Sequence, residues 1–459
     1  MVPKSVPEAL AAASARHPQR TAVQHRGRRI AYARLQSQVD RAARALHELG
    51  VRRGHRVAIV CDLHPESVVA LHAVMRIGAV AVLQDPRASA RDLADAFADH
   101  RAVVAVVDRA AVPRLRALPE AVAPKALVGV DPGRSRRRTL ATAARHPWRP
   151  LVRAALALAR ARRRARSRIA LRRASAMNLK TLLGGQPLSS AHPLPDPSDL
   201  AMIHYGARGT DSPLGAMLSH GNLVAASRQL REQWVDHMVQ RGATVCITAP
   251  LHEAPSSPFG VVAPLLGSMR LVLADSPAEV VGTVARCPVD LLCTTSRAMD
   301  GILRVAEQTG TDLRPIRRVL VADLGLTPEL ASRWVEATGG EIATGYVRAE
   351  CGVALGGAFD AERPDALGMP LPQVRIRVDA DGTLAIAGPQ VFHGYWNRPD
   401  ETAHSLSGDG WLRTGEQVAP FEDDGEGGTD GVDGVSAPRL RAVAGRTIGH
   451  GSIPRHPSG

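Results

Sequence analysis

The stretch from residue 205 to residue 223, YGARGTDSPLGAMLSHGNL, combines residue types that can bind a phosphate group. Gly209 and Gly215 allow close backbone approach to a ligand, and Thr210 and Ser212 supply hydroxyl donors. The stretch contains no lysine, so the Walker pattern G-x-x-x-x-G-K-[ST] does not fit it.

An apolar run at residues 200–203 precedes this stretch, and the pattern predicts a helix that begins near Ser219 or His220. A strand, a glycine-rich loop and a helix form the phosphate cradle of many folds. A surface turn between strand and helix is the alternative interpretation, and the spacing alone leaves both open.

The surrounding chain predicts an α/β protein of two or three packed units, since 459 residues exceed one typical domain. Apolar strands alternate with amphipathic helices over residues 1–132 and again over residues 197–416. That alternation indicates parallel sheets covered by helices. Residues 133–196 are expected to form an arginine-rich helical insertion and a proline-rich linker. Residues 417–459, rich in glycine and acidic residues, are expected to be a loop or disordered.

The net charge of +14 belongs to one segment. Residues 133–173 hold 15 arginines and no acidic residue, and the rest of the chain has 43 basic and 44 acidic residues. A solvated insertion is one interpretation. Docking of residues 147–173, which include Trp148, on an anionic membrane surface is another. Nucleic-acid binding is disfavoured because aromatic residues are not interleaved with the arginines.

Composition also predicts a cellular setting. The N-terminus lacks the pattern of a signal peptide, and no run reaches the roughly 18 apolar residues of a spanning helix. The five cysteines include no C-x-x-C pair, which favours reduced thiols over disulfides or a zinc site. We therefore expect a cytoplasmic protein that can associate peripherally with the inner face of a membrane.

Several segments resemble the adenylate-forming (AMP-binding) superfamily, of the acyl-CoA synthetase or fatty-acid–CoA ligase type. The most specific match is GPQVFHGYWNRPDETAHSLSGDGWLRTGE, residues 388–416, and HPESVVALHAVMRIGAVAVLQDPR, residues 64–87, is similar to the family's N-terminal lobe. The resemblance extends over residues 5–132 and 197–416. It implies a large N-terminal domain of helix-covered mixed sheets with a smaller distorted β-barrel, and a C-terminal lid domain that is absent.

The resemblance also implies chemistry. In the family, a carboxylate attacks the α-phosphorus of ATP with the help of Mg²⁺, and a thiol, often that of CoA, then takes the acyl group. Tyr205, Gly209, Thr210 and Gly215 would belong to the phosphate cradle, where Leu214 replaces the family's lysine. Loss of one charge-assisted contact costs roughly 1.5–3 kcal/mol, which is about ten- to a hundredfold in rate.

The other implied contacts lie further along the chain. Tyr346 would stack on adenine, Glu350 would ligate Mg²⁺, Glu416 and Arg446 would contact ribose, and His252 would lie beside the acyl pocket. Glu350 and His252 are the residues to which the resemblance assigns a catalytic role. For each of Tyr346, Glu350 and His252, a packing or solvated role is the alternative.

Two functional hypotheses follow. The first is an acyl-CoA synthetase-like protein that activates a fatty or other carboxylic acid, with adenylation weak or lost. No lysine follows Lys180, so the lysine that the family's C-terminal domain supplies cannot come from this sequence. The second is a non-catalytic homologue that binds an acyl chain, a partner protein or a membrane.

Overall fold

The computed structural model describes residues 3–130, 177–205, 214–234, 242–253, 260–323, 325–358, 366–420 and 440–442. The arginine-rich segment, Gly209, Thr210 and Arg446 lie outside the described residues. The helices are α1 (Val6–Arg16), α2 (Tyr32–Glu48), α3 (Pro65–Arg76), α4 (Ala90–His100), α5 (Val112–Arg116), α6 (Leu179–Leu182), α7 (His220–Trp234), α8 (Ala263–Leu266), α9 (Pro277–Val284), α10 (Ser296–Thr309), α11 (Pro328–Thr338) and α12 (Pro399–Ser405).

Three sheets contain the described strands. The strands are β1 (Thr21–His25), β2 (Arg28–Ala31), β3 (Arg56–Val60), β4 (Val80–Leu83), β5 (Val104–Asp108), β6 (Ala126–Val130), β7 (Met177–Asn178), β8 (Leu200–Tyr205), β9 (Gly215–Ser219), β10 (Thr244–Ile247), β11 (Arg270–Leu273), β12 (Leu291–Thr294), β13 (Arg318–Val321), β14 (Glu341–Arg348), β15 (Gly352–Ala358), β16 (Met369–Pro370), β17 (Arg375–Val378), β18 (Thr383–Ala387), β19 (Leu412–Pro420) and β20 (Leu440–Ala442).

The first sheet has seven strands in the order β7-β6-β5-β3-β4-β8-β9. All of its neighbouring pairs are parallel except β8 and β9. Strands β3, β4 and β5 are short apolar runs in which almost every residue is buried, as expected when helices cover both faces of a sheet. The parallel arrangement predicted from the sequence is confirmed.

The second sheet has nine strands in the order β16-β15-β14-β13-β12-β10-β11-β1-β2. Its centre, from β14 to β1, is parallel. Strand β1 comes from the N-terminal part of the chain and pairs with β11, with Val23 opposite Leu271. One hydrophobic cluster contains buried residues of both large sheets, so the two sheets share a core.

The third sheet is small and antiparallel, in the order β17-β18-β19-β20. Strands β17 and β18 flank residues 379–382, where the sequence predicts a hairpin, and Gly382 has φ +80°. The expected small β-barrel is represented in the described residues by this four-stranded sheet, and those strands do not close into a ring. The predicted helix-covered mixed sheets are confirmed.

Three local expectations differ from the structure. Strand β9 lies between the glycine-rich loop and α7, so the loop joins two antiparallel strands and does not lead directly into the helix. Residues 177–178 form β7, at the edge of the first sheet, in a segment expected to be helix and linker. The described parts of the expected tail, residues 417–420 and 440–442, are strands that pair with each other because Val418 and Leu440 are buried apolar residues.

No helix in the described parts of the chain combines the length and the apolar character needed to cross a bilayer. The five cysteines are free thiols, and four of them are buried.

Candidate active site

The candidate site lies around the end of β14, where polar side chains occur at and just beyond the end of a mostly buried strand. Tyr346 and Arg348 are two residues apart, so their side chains leave the strand on the same face. Glu350 follows in the turn to β15, and its backbone oxygen accepts a hydrogen bond from the Phe392 N–H at 2.8 Å. That bond ties the end of β14 to the segment of residues 388–416.

Arg348 joins two carboxylates at this point. Its Nε donates to Glu350 Oε2 at 3.3 Å, and its Nη1 donates to Glu416 Oε1 at 3.0 Å. Tyr395 donates its hydroxyl to the other oxygen of Glu350 at 2.7 Å. The side chains of Arg348, Glu350 and Glu416 are 14%, 9% and 10% exposed, so the network is almost completely removed from water.

Burial and charge act in opposite directions on the two carboxylates. Burial raises the pKa of Glu350, but the Arg348 charge and the Tyr395 hydroxyl outweigh it, and the net pKa lies below the ordinary glutamate value. Burial also raises the pKa of Glu416, and there the opposing effect of Arg348 is too small, so the net pKa is raised. Glu350 is therefore the more firmly ionised partner of Arg348.

Two histidines lie near this network. His204, the last residue before Tyr205 in β8, is 1% exposed. Burial and the neighbouring His252 lower the pKa of His204 to about 4, against an opposing effect of Glu350, so its ring is neutral at pH 7. Burial also lowers the pKa of His252, whose Nε2 lies 3.9 Å from Asp85 Oδ1. These interactions bring β8, residue 252 and the end of β14 to one region between the two large sheets.

An apolar cavity adjoins the same strand. Its volume is about 40 Å³, and Val347, between Tyr346 and Arg348, contributes to its wall. The wall is otherwise formed by α7, α8 and the buried strands of the second sheet, with Leu230, Val245, Ala263, Cys293, Leu320 and Ala322 among its residues. The lining suits an apolar group, and an acyl tail would enter only if the lining side chains moved apart, because the space is smaller than an ordinary ligand pocket.

Of the expected phosphate-binding loop, the structure describes only the flanking residues, up to Tyr205 and from Leu214 onward. The Tyr205 hydroxyl donates to Asp99 Oδ2 at 2.6 Å. A Cβ atom added at Gly215 would lie 2.6 Å from Ile203 Cγ2 and 3.1 Å from the Tyr205 ring, so the pairing of β8 with β9 requires glycine there. Leu214, at the position of the family's lysine, is partly buried and packs against the core.

The structure brings some of the predicted residues together and separates others. Glu350 and Glu416 share Arg348, and His252 lies near them through His204. Tyr346 is 4% exposed and packs in the hydrophobic core, whereas Tyr205 points its hydroxyl to Asp99. No ion pair or hydrogen bond between described residues links Tyr205 directly to the carboxylates.

The prediction from sequence assigned no role to Arg348 or Tyr395, which complete the network. One signal was available for Arg348: a cation two residues after Tyr346 shares a strand face with it, and Glu350 follows two residues later. Tyr395 is 45 residues from Glu350 in the chain, and nothing local in the sequence indicates their contact.

The sequence profile of the AMP-binding enzymes matches residues 10–396, which is most of the chain. The chain belongs to the AMP-binding enzyme family. Enzymes of this family in general use ATP, Mg²⁺ and CoA.

Several acyl-CoA ligases are similar to this AMP-binding family member. The chain is 26% identical over 415 residues to 3-hydroxybenzoate–CoA ligase of Aromatoleum sp., and the alignment covers 87% of the chain and 71% of the relative. It is 23% identical over 440 residues to long-chain-fatty-acid–CoA ligase of Bacillus subtilis, which covers 90% of the chain and 74% of the relative. The family resemblance inferred from the sequence motifs is confirmed, and the chain is acyl-CoA synthetase-like.

A solved structure shows the same fold. The N-terminal domain of FACL13 from Mycobacterium tuberculosis superposes with a TM-score of 0.74 at 16% identity, covering 96% of this chain and 99% of that one. The AMP-binding fold therefore accounts for the arrangement of the two large sheets and the small one.

The arrangement around Glu350 does not fit Mg²⁺. Both oxygens of Glu350 already accept a hydrogen bond, and the positive charge between Glu350 and Glu416 is the guanidinium of Arg348. Among the described residues, Glu350 belongs to no cluster of three or more metal-ligating side chains. A divalent cation next to Arg348 would be repelled by it, so Glu350 in this arrangement is not a Mg²⁺ ligand.

Proposed function

We propose that the protein binds a carboxylic acid with an apolar tail, and that it activates this acid with ATP more slowly than a family member that keeps the cradle lysine. The observation that carries the proposal is the apolar lining of the cavity whose wall includes Val347, directly beside the charged end of β14. Fatty and aromatic acids both suit such a cavity, and the names of the relatives include ligases for both classes.

The residues of this chain would act by position and charge. The apolar wall formed by Leu320, Ala322 and Val347 would hold the tail away from water and favour it by burial of apolar surface. The neutral ring of His204 and the partly buried His252 would lie at the polar end of the bound acid. ATP, when bound, would supply the α-phosphorus that the acid's carboxylate attacks.

Two features would slow this reaction. Leu214 offers no charge to the leaving pyrophosphate, where the family has a lysine. The ion pairs of Arg348 occupy Glu350 and Glu416, the two carboxylates that the family resemblance assigns to metal and ribose. We therefore expect the acid to bind more readily than it reacts.

Arg348 also favours a second candidate function, an acyl-binding protein without turnover. The network pairs both carboxylates with a cation inside the protein, as a structural ion pair does, and both oxygens of Glu350 accept a hydrogen bond within it. Under this alternative the cavity still binds the acid.

Two titrations test the proposal. Isothermal titration with dodecanoate and with benzoate measures acid binding, and an Ala322→Trp variant should lose it because the indole fills the cavity. A Val335→Trp variant, at an exposed position of α11, is the matched control and should bind as the wild type does. Titration with ATP·Mg²⁺ then separates the two candidates, because absence of nucleotide binding at millimolar concentration excludes the activating enzyme and leaves the acyl-binding protein.

A further inference from the structure

A second cavity, which we call the basic cleft, lies at the C-terminal end of α1. Arg16, His17, Arg20, Arg231, Leu266, Gly267 and Ser268 line the basic cleft. Its volume is about 350 Å³, and its lining includes no acidic residue. Neither Arg16 nor Arg20 forms an ion pair with any acidic residue in the described ranges. Arg16 and Arg20 therefore bring to the cleft positive charge that is not paired with a carboxylate of the described ranges.

The fold holds these residues in fixed positions. The last residue of α1 is Arg16, and a turn closed by the Arg20 N–H donating to the His17 oxygen at 3.1 Å follows it. The Tyr32 hydroxyl contacts the backbone oxygens of Leu265 and Met269 at 3.1 and 2.7 Å. Because the Tyr32 N–H also donates to the Arg20 oxygen at 3.0 Å, Tyr32 ties the two walls of the basic cleft together.

Ser268 supplies an independent observation. It is 4% exposed, and its hydroxyl has no hydrogen-bond partner among the described residues. Its φ of +59° lies in the left-handed region, where a helix usually ends on glycine. A serine in this conformation costs of order 1 kcal/mol relative to glycine, so the position carries both strain and an unused donor.

We infer that the basic cleft binds a small oxyanion, of the phosphate or carboxylate class, through Arg16, Arg20, Arg231 and the Ser268 hydroxyl. Guanidinium groups and a hydroxyl are the donors that proteins use for such groups. The side chain of Arg20 packs along Gly242, where an added Cβ would lie 3.4 Å from Arg20 Nε. This contact restricts the orientation of the guanidinium. Burial and the charges of Arg20 and Arg16 lower the pKa of His17, and a bound anion would oppose the effect of those charges.

The oxyanion can come from two sources. Arg231 lines both the basic cleft and the apolar cavity, so a second carboxylate at the far end of a cavity-bound acid could reach the cleft. A free phosphate in the cleft is the other source. Only the first source depends on the proposed acid binding. Failure of acid binding would therefore leave the test with free phosphate intact.

The first arm uses inorganic phosphate and the wild-type protein. Isothermal titration at low salt should detect phosphate binding that weakens as salt is added. Arg16→Gln, Arg20→Gln and Ser268→Ala should each weaken it, by about ten- to a hundredfold for the arginines because each loses a charge-assisted contact. Arg91→Gln, on α4 and outside the cleft lining, is the control and should leave phosphate binding unchanged.

The second arm compares dodecanoate with dodecanedioate. Tighter binding of the dicarboxylate that is lost in Arg20→Gln, with dodecanoate binding unchanged, identifies the distal carboxylate as the ligand. Phosphate binding that only the cleft variants weaken identifies a free oxyanion. If the cleft variants weaken the binding of phosphate and of the dicarboxylate no more than Arg91→Gln does, the inference is wrong.

Discussion

The strongest energetic prediction concerns Arg348, because its substitution leaves two buried carboxylates next to each other. Replacement by methionine keeps much of the apolar stem and removes the guanidinium from Glu350 and Glu416, at 3.3 and 3.0 Å. At an effective dielectric constant of about 20, each attraction is about 5 kcal/mol, and the desolvation of the guanidinium offsets part of it. We expect Arg348→Met to lower the free energy of unfolding by about 3–5 kcal/mol.

Urea unfolding at pH 7 measures this loss. The control is Arg333→Gln, because Arg333 contacts Asp300 and Glu307 at the surface and is 45% exposed. That change should have little effect on stability, because solvent screens an exposed ion pair. The triple variant Arg348→Met, Glu350→Gln and Glu416→Gln should recover most of the loss, because it removes the unpaired charges together with their partner. A loss for Arg348→Met no larger than that of the control would refute the description of a buried, tightly coupled network.

Three further predictions address the site. Leu214→Lys should raise acid-dependent pyrophosphate exchange about ten- to a hundredfold, because it restores a charge-assisted phosphate contact, and an unchanged rate would contradict this role for position 214. Because the pKa of Glu350 is lower in the folded protein than in the unfolded chain, its ionisation stabilises the fold above about pH 4.5, and this contribution is lost as the pH falls from there through the lowered pKa. Glu350→Gln should therefore flatten the acid limb of unfolding curves, and an equally steep limb would count against the shift. Gly215→Ala should cost about 1–3 kcal/mol in urea unfolding through overpacking against Ile203, and a neutral effect would contradict the contact.

Much of the fold was predictable because its elements carry local signals. The helix that begins at His220 and the hairpin around residues 379–382 lie where the periodicity and the turn residues placed them. Strand β9, GAMLS, lacks clear alternation, and β20 has only three residues, so neither has a local signal. The pairing of β1 with β11 joins residues about 250 positions apart and depends on tertiary packing.

The site was predictable to a smaller degree. Family motifs indicate Glu350 and Glu416 individually. The ion pairs that join them through Arg348 form only when segments 68 residues apart in the chain pack together. Tyr346 has the residue type of an adenine platform, but its ring packs in the core, which the sequence around it does not reveal. The basic cleft combines α1, α7 and the turn after α8, and no contiguous sequence pattern marks it.

Pyrophosphate exchange into ATP over a panel of fatty and aromatic acids tests the central claim most directly. We expect slow exchange that depends on the added acid, is lost in Ala322→Trp and persists in Val335→Trp. Exchange that is absent with every acid, or that persists when Ala322→Trp fills the cavity, would contradict acid activation at this site.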